Sequence, residues 1–264
     1  MGLNSKNSSS VLRIRKTMSV LKSEGLTKSF NFRPVVKGVN IEISSGEIIG
    51  LLGRNGAGKT TTFQMIVGLI KPDSGDIFLD EKNISQYSSH LRAAEGITYL
   101  PQEHSVFLKA SVANNLKLIL ELQPIGKEER KKIIRELLEE LGLHDLAKQP
   151  AYSLSGGERR RLEICRSLLI KPKFLLLDEP FTGIDPLTIT ELQKIMMKLK
   201  SKGIGIILSD HNVQDTFKIA DRAYIIDEGE ILIKGRPQDI ASDEMAKEKF
   251  LGKSFKLGDE VEVS

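Results

Sequence analysis

The stretch Gly53-Arg54-Asn55-Gly56-Ala57-Gly58-Lys59-Thr60 fits the spacing G-x-x-x-x-G-K-[ST]. Glycines so placed let the backbone bend until several N–H groups converge on phosphate oxygens at a helix N-terminus. Lys59 then supplies a point charge for β- and γ-phosphates, the Thr60 hydroxyl is a ligand for Mg²⁺, and Thr61 carries the chain onward into the helix. A second stretch, Phe174–Leu177, is wholly apolar and runs into Asp178-Glu179-Pro180. Asp178 is placed to hold Mg²⁺ through water, and Glu179 to act as general base for a water attacking the γ-phosphate. A third, Leu154-Ser155-Gly156-Gly157-Glu158, precedes Arg159-Arg160-Arg161, which read as working basic groups on a helix beside that turn. A hydroxyl, backbone amides and a helix dipole together make a second anion site there.

These groups need elements to hold them. Glu47–Leu52, Ile97–Leu100, Phe174–Leu177 and Ile204–Leu208 are short apolar runs bounded by Gly, Asp or Pro, the pattern of buried strands in a parallel sheet. Helical stretches lie between them: Thr61–Leu69 follows the glycine-rich loop. In Lys127–Leu141, residues Ile133, Ile134, Leu137, Leu138 and Leu141 share one face. Ala223–Asp227 and Glu230–Lys234 flank Glu228-Gly229 and read as a β-hairpin. Strand–helix alternation argues for an α/β fold with helices on both faces of the sheet, and ligand chemistry in such sheets gathers at the carboxyl ends of the strands. A glycine-rich turn, a surface Asp-Glu turn or an isolated histidine is common for purely structural reasons. Their joint occurrence in this order is what points to nucleotide chemistry.

In that order the chain resembles the ATP-binding-cassette ATPases over essentially all of residues 20–240. Gln102, just after Ile97–Leu100, stands at the Q-loop position; Ile184-Asp185 stands at the D-loop position; His211, after Ile204–Leu208, stands where the switch histidine is found. The resemblance implies a P-loop NTPase (RecA-like) core with an antiparallel β-subdomain and an inserted α-helical subdomain at about residues 103–166. The whole nucleotide-binding domain would span 19–257. It also implies two catalytic residues, Glu179 and His211, with Thr60, Gln102 and Asp178 around Mg²⁺. Phe30 or Phe32 would stack on adenine, and the following Val35-Val36 favours Phe30; the family usually has Tyr there, and Phe keeps the π-face. Arg54 departs from the Pro commonly found after the first loop glycine, with little expected loss because the loop works through backbone amides. One copy of each motif implies a homodimer in which Ser155, Gly156, Gly157 and Glu158 complete the ATP site of the opposite subunit.

Composition bounds the rest. The 264 residues carry 39 Lys+Arg and 35 Asp+Glu, a formal net charge of +4. Lys6, Arg13, Arg15 and Lys16 supply +4 within residues 1–18, where no acid occurs, so residues 19–264 are formally neutral. The basicity thus belongs to a Ser/Asn-rich leader, read as disordered or mis-assigned with Met18 as a natural start, and argues against nucleic acid as a partner. Gly258–Ser264 reads as a loose acidic tail. One cysteine excludes an internal disulfide framework and fits a reducing compartment; Cys165 reads as a small core residue. No apolar run reaches the roughly 18 residues of a membrane span, so membrane contact would come only through partners.

Three stretches narrow the resemblance: Pro101–Phe107, Leu154–Arg161, and Asp210-His211-Asn212-Val213 with the later Phe250–Phe255. Together they resemble the ATPase subunits of lipopolysaccharide-export transporters. That likeness implies a cytoplasmic location on the inner face of the inner membrane, beneath two integral membrane permease subunits. Phe107 would receive a coupling helix from those subunits, or else be a core residue of the helical subdomain; Phe255 would be a functional C-terminal aromatic, or simply dock its helix. A branched-chain amino acid type importer ATPase and a soluble ATPase of iron–sulfur assembly stay open as alternatives.

Overall fold

The computed structural model describes residues 18–103 and 105–257, so the expectations for the leader before Met18 and for the tail Gly258–Ser264 lie outside the described residues. Strand β1 (Val20–Phe30) pairs antiparallel with β2 (Arg33–Ser44) and with β4 (Ser74–Leu79), and β5 (Lys82–Asn83) extends that sheet to the order β2-β1-β4-β5. The second sheet comprises β3 (Ile48–Leu52), β6 (Ile97–Leu100), β7 (Phe174–Asp178), β8 (Gly205–Asp210), β9 (Arg222–Asp227) and β10 (Glu230–Gly235). Its order is β10-β9-β3-β8-β7-β6, parallel from β9 to β6, with β10 added antiparallel at the edge. The β9–β10 hairpin turns through Glu228 and Gly229 at φ 45° and 86°, the two left-handed residues a tight two-residue turn requires.

The parallel strands are apolar on both sides because both sides are covered. Leu175, Leu177, Ile206 and Leu208 face one core, and the alternating Phe174, Leu176 and Ile207 face another. The first core is filled by α3 (Val112–Leu120), α4 (Lys127–Glu140) and α5 (Gly156–Leu168), all inserted between β6 and β7, and by α6 (Pro186–Ser201). The second takes α1 (Lys59–Ile66) and the inner face of the antiparallel sheet. A smaller third core joins Leu52 and Ile225 to α7 (Val213–Phe217) and to the C-terminal segment, which comprises α8 (Pro237–Ser242), α9 (Glu244–Ala246) and a π turn over Lys247–Leu251. The fold is thus α/β with an antiparallel β-sheet and a helical insertion added to a parallel core.

Boundaries shift from those read in the sequence for local reasons. Helix α1 begins at Lys59, two residues early, and stops at Ile66 because Gly68 turns the chain at φ 80°. Strand β8 runs two residues past Leu208, because Ser209 pairs with Asp178 and Asp210 with Leu52.

Arg92, in α2 (Ser89–Ala94), is 1% exposed. Its guanidinium donates to the carbonyls of Met65 and Ile66 at 2.7 Å, of Ser85 at 2.8 Å and of Tyr87 at 3.0 Å. It therefore takes up terminal carbonyls of α1, where the helix dipole is negative. Burial pushes the guanidinium down to about 10, still charged at neutral pH. Replacing Arg92 by Met removes the side-chain donors to these carbonyls, of which Met65's keeps a bond from the Gly68 N–H, and urea denaturation should then show a loss of about 3 kcal/mol in unfolding free energy. Arg92→Lys should recover only part of it, since one ammonium cannot span four acceptors; an unmoved midpoint in Arg92→Met would rule the clamp out.

Candidate active site

Strands β3, β8, β7 and β6 are consecutive neighbours, so the loops leaving their carboxyl ends meet at one edge. From β3 comes the loop Gly53–Gly58. A Cβ on Gly53 would lie 2.3 Å from the Ile226 carbonyl oxygen, and Gly58, at φ 105°, would put one 2.8 Å from that of Val35. Glycine is required at both for the loop to nest against β9 and β2. Lys59 is buried, its ammonium donating to the carbonyls of Gly53 at 2.7 Å and Arg54 at 3.1 Å. Burial lowers its pKa, against the opposing pull of the Glu179, Asp178 and Asp210 carboxylates. The loop and the start of α1 line an open cleft of about 260 Å³ with Asn55, Gly56, Gly58, Lys59, Thr60 and Thr61; Gln102 and Glu179 stand across it, and Val35 supplies an apolar wall.

Glu179 sits at φ 45°, a backbone state that costs a non-glycine residue roughly 1–3 kcal/mol. Its N–H donates to the Ser209 carbonyl at 2.9 Å, which fixes the turn. The carboxylate then projects from the strand end and accepts from Gln102 Nε2 at 2.9 Å and Thr182 Oγ1 at 3.1 Å. His211 Nδ1 lies 4.0 Å from Glu179 Oε2 and 3.5 Å from Asp210 Oδ1. Burial raises the pKa of Asp210, while N–H groups of Asn212, Phe181 and His211, together with the charge of His211, favour its ionised form. Asp178 is 1% exposed, held by hydroxyls of Tyr99 and Ser209. The structure thus gathers Lys59, Thr60, Gln102, Asp178, Glu179 and His211 from four loops.

Other sequence candidates fall elsewhere. Ala57 is buried against the core, and Arg54 points away, its Nη2 donating to the Lys249 carbonyl of the C-terminal turn at 3.0 Å. Phe30, 44% exposed at the end of β1, is not among the cleft-lining residues, and Phe32 is fully exposed in the turn beyond it. Ser155 caps α5: its Oγ accepts from the Glu158 N–H, and the Glu158 carboxylate accepts from the Ser155 N–H at 2.8 Å, a reciprocal box. Ser155 and Gly156 are exposed, whereas Gly157 is buried, and a Cβ there would meet Thr188 at 2.0 Å. None of the four lines the cleft of its own chain. Phe107 is 49% exposed, with the Arg166 guanidinium 4.9 Å from its ring centroid, and is not in the core of the helical insertion. Phe255 packs edge-on to Phe217 at 6.1 Å.

The sequence reading took Arg159–Arg161 as working charges beside the third motif, but the structure spends them internally. Arg159 donates to the Leu154 carbonyl and Arg161 pairs with Glu191 at 3.0 Å. Arg160, 3% exposed, pairs with Glu163 at 3.0 Å and donates to the carbonyls of Pro101 and Asp178. It is one of the site-forming residues the sequence reading missed, with Tyr99, Thr182, Ser209 and Asp210. Only Asp210 carried a visible signal, a lone acid closing an apolar strand beside His211.

Known proteins resemble this chain in sequence and fold. The ABC transporter family description matches residues 36–182. The lipopolysaccharide export system ATP-binding protein LptB of Acidithiobacillus ferridurans is 48% identical over 238 residues, which cover 90% of this chain and 99% of the relative. LptB of Escherichia coli K12 is 44% identical over 91% of this chain and all of its own length. Among solved structures, the ADP conformation of MJ1267, an ATP-binding cassette of an ABC transporter, superposes with a TM-score of 0.80 at 27% identity, covering 90% of this chain and all of that one. The chain therefore belongs to the ABC transporter family, as one of its ATPases, and is similar within it to the LptB proteins.

Proposed function

We propose that the chain is the ATP-hydrolysing subunit of a lipopolysaccharide-export transporter, carried by one observation above others. Glu179 is presented on a constrained turn, bonded to Gln102, across a cleft from Lys59 and Thr60. That is a general base facing a phosphate cradle. The lipopolysaccharide assignment draws its support from relatives that carry this name and match end to end.

In this reading the N–H groups of Asn55–Thr61 and the Lys59 ammonium bind the β- and γ-phosphates, with Gly53 and Ala57 shaping the loop and Arg54 anchoring it from outside. Phe30 stacks on adenine beside Val35. Glu179 accepts the proton of the attacking water, with Gln102 and Thr182 orienting its carboxylate, and His211 flanks it toward the γ-phosphate. Mg²⁺ fits the oxygens offered by Thr60, Gln102 and Asp178. Among the described residues no group of three or more His, Cys, Asp or Glu forms a cage, which suits a cation that keeps waters and binds through phosphate. When bound, the metal neutralises charge on the phosphates.

The pair is a head-to-tail homodimer with two ATP, in which Ser155, Gly156, Gly157 and Glu158 of one copy face the γ-phosphate of the other. The exposure of Ser155 and Gly156 at a capped helix N-terminus, outside the Lys59 cleft of their own chain, supports this. ATP closes the pair and hydrolysis releases it, a population shift driven by ligand at the interface. Among the described residues no helix is long and apolar enough to cross a membrane. In this proposal two integral membrane subunits extract the lipid, and this ATPase docks beneath them on the cytoplasmic face of the inner membrane. The half-exposed Phe107 receives a coupling helix, and Phe255 steadies the C-terminal segment.

Glu179→Gln should retain ATP binding while hydrolysis falls by about 10²–10⁴-fold and a closed dimer accumulates in gel filtration with ATP; turnover near that of the parent protein would dismiss Glu179 as the base. Phe107→Ala should lower ATP-driven lipopolysaccharide release from proteoliposomes containing the whole transporter at least several-fold, while the isolated subunit still hydrolyses ATP. Loss of hydrolysis in the isolated subunit would place Phe107 in the fold and not at the docking face.

A further inference from the structure

Both oxygens of the Asp178 carboxylate are held by hydroxyls from the strands on either side of β7. Ser209 Oγ, from β8, donates to Oδ1, and Tyr99 Oη, from β6, donates to Oδ2 at 3.0 Å. The two reach it differently. Ser209 is the direct register partner of Asp178, whereas Tyr99 lies opposite Leu176 and crosses two residues along the neighbouring strand. A phenol is long enough for that span, and its ring is itself fixed. It packs edge-on to Phe63 of α1, with centroids 6.4 Å apart and planes at 86°. Phe63 stands four residues after Lys59, and Tyr99 three residues before Gln102. One side chain thus touches the helix that begins at the phosphate loop, belongs to the strand that delivers Gln102, and bonds the carboxylate at the end of β7.

A lone carboxylate at a strand end rotates freely about its last torsion, which has a broad, roughly two-fold profile. Donors on opposite sides remove that freedom. We propose that Tyr99 is a positioning residue for the metal–nucleotide complex: its hydroxyl fixes the Asp178 carboxylate in the orientation that receives the metal's water. This rests on the reading of Asp178 as the Mg²⁺ acid.

The test is a double-mutant cycle of Tyr99→Phe and Asp178→Asn in the full-length protein. Mn²⁺ binding to the complex with a non-hydrolysable ATP analogue is followed by electron paramagnetic resonance, and analogue binding is measured separately in EDTA. Tyr99→Phe keeps the ring on Phe63 and removes only the donor, so Mn²⁺ affinity should fall about tenfold while analogue affinity in EDTA stays that of the parent protein. In the Asp178→Asn background the same substitution should have no further effect. Parent-like Mn²⁺ affinity in Tyr99→Phe, with Asp178→Asn weakened, would overturn the inference. So would a Tyr99→Phe effect that persists in full beside Asp178→Asn, because that marks general packing; this comparison stands even if the single variant is less stable. If Asp178→Asn itself binds Mn²⁺ like the parent, it is the reading of Asp178 that fails.

Discussion

The architecture of the site hangs on a buried ion pair. Arg160 and Glu163 are 3% and 2% exposed, and removing two such charges from water costs several kcal/mol each, so the pair persists only if its remaining donors and acceptors are used. Most are: through Nη1 and Nη2, Arg160 reaches Glu163, the Pro101 carbonyl and the Asp178 carbonyl, each at 3.0 Å, with Nε the exception, and Glu163 accepts from the Ser105 N–H at 2.8 Å. Helix α5, the loop after β6 and the end of β7 share no backbone ladder, so this node joins the helical insertion to the catalytic edge. Displacing either partner strands a charge in a dry environment, and the three segments are therefore held as a unit.

A similar economy governs α1. Its N-terminus faces the cleft with Lys59 and Thr60, while its last carbonyls are taken by the buried guanidinium of Arg92. A helix whose positive end must stay open to an anion gains stability at its other end instead. Glu179 is the converse case, a residue held at φ 45° by a bond from its N–H to a neighbouring strand. The Glu179 carboxylate is aimed by backbone geometry as much as by its side-chain partners.

Much of this was legible in the sequence wherever the chemistry is local. The glycine-rich loop could be read because the phosphate contacts proposed for it need backbone amides and glycines at set spacings, and the strand-end acids because apolar runs mark buried parallel strands. Register was not legible. Tyr99 meets Asp178 across 79 positions, and nothing in either segment announces the other. Arg159–Arg161 misled because a run of like charge reads as a solvated or anion-binding face, whereas three successive helix positions point in three directions, toward Leu154, Glu163 and Glu191. Phe107 could be placed neither in the core nor on the surface without the packing of α3 and α5. Arg54, read as a neutral departure, turned out to bind the C-terminal turn.

Cys165 has a use the sequence reading did not suggest. It lies at 0% exposure inside α5, its thiol directed at the Leu137 carbonyl, and burial, with the nearby Glu140 charge, pushes its pKa well above the ordinary range. A protonated, enclosed sulfur is inert toward alkylating reagents. The chain has no other cysteine, so its rate of labelling in solution reports how often the helical insertion parts from the core. The molecule carries its own clock for local opening, one that needs no engineered probe.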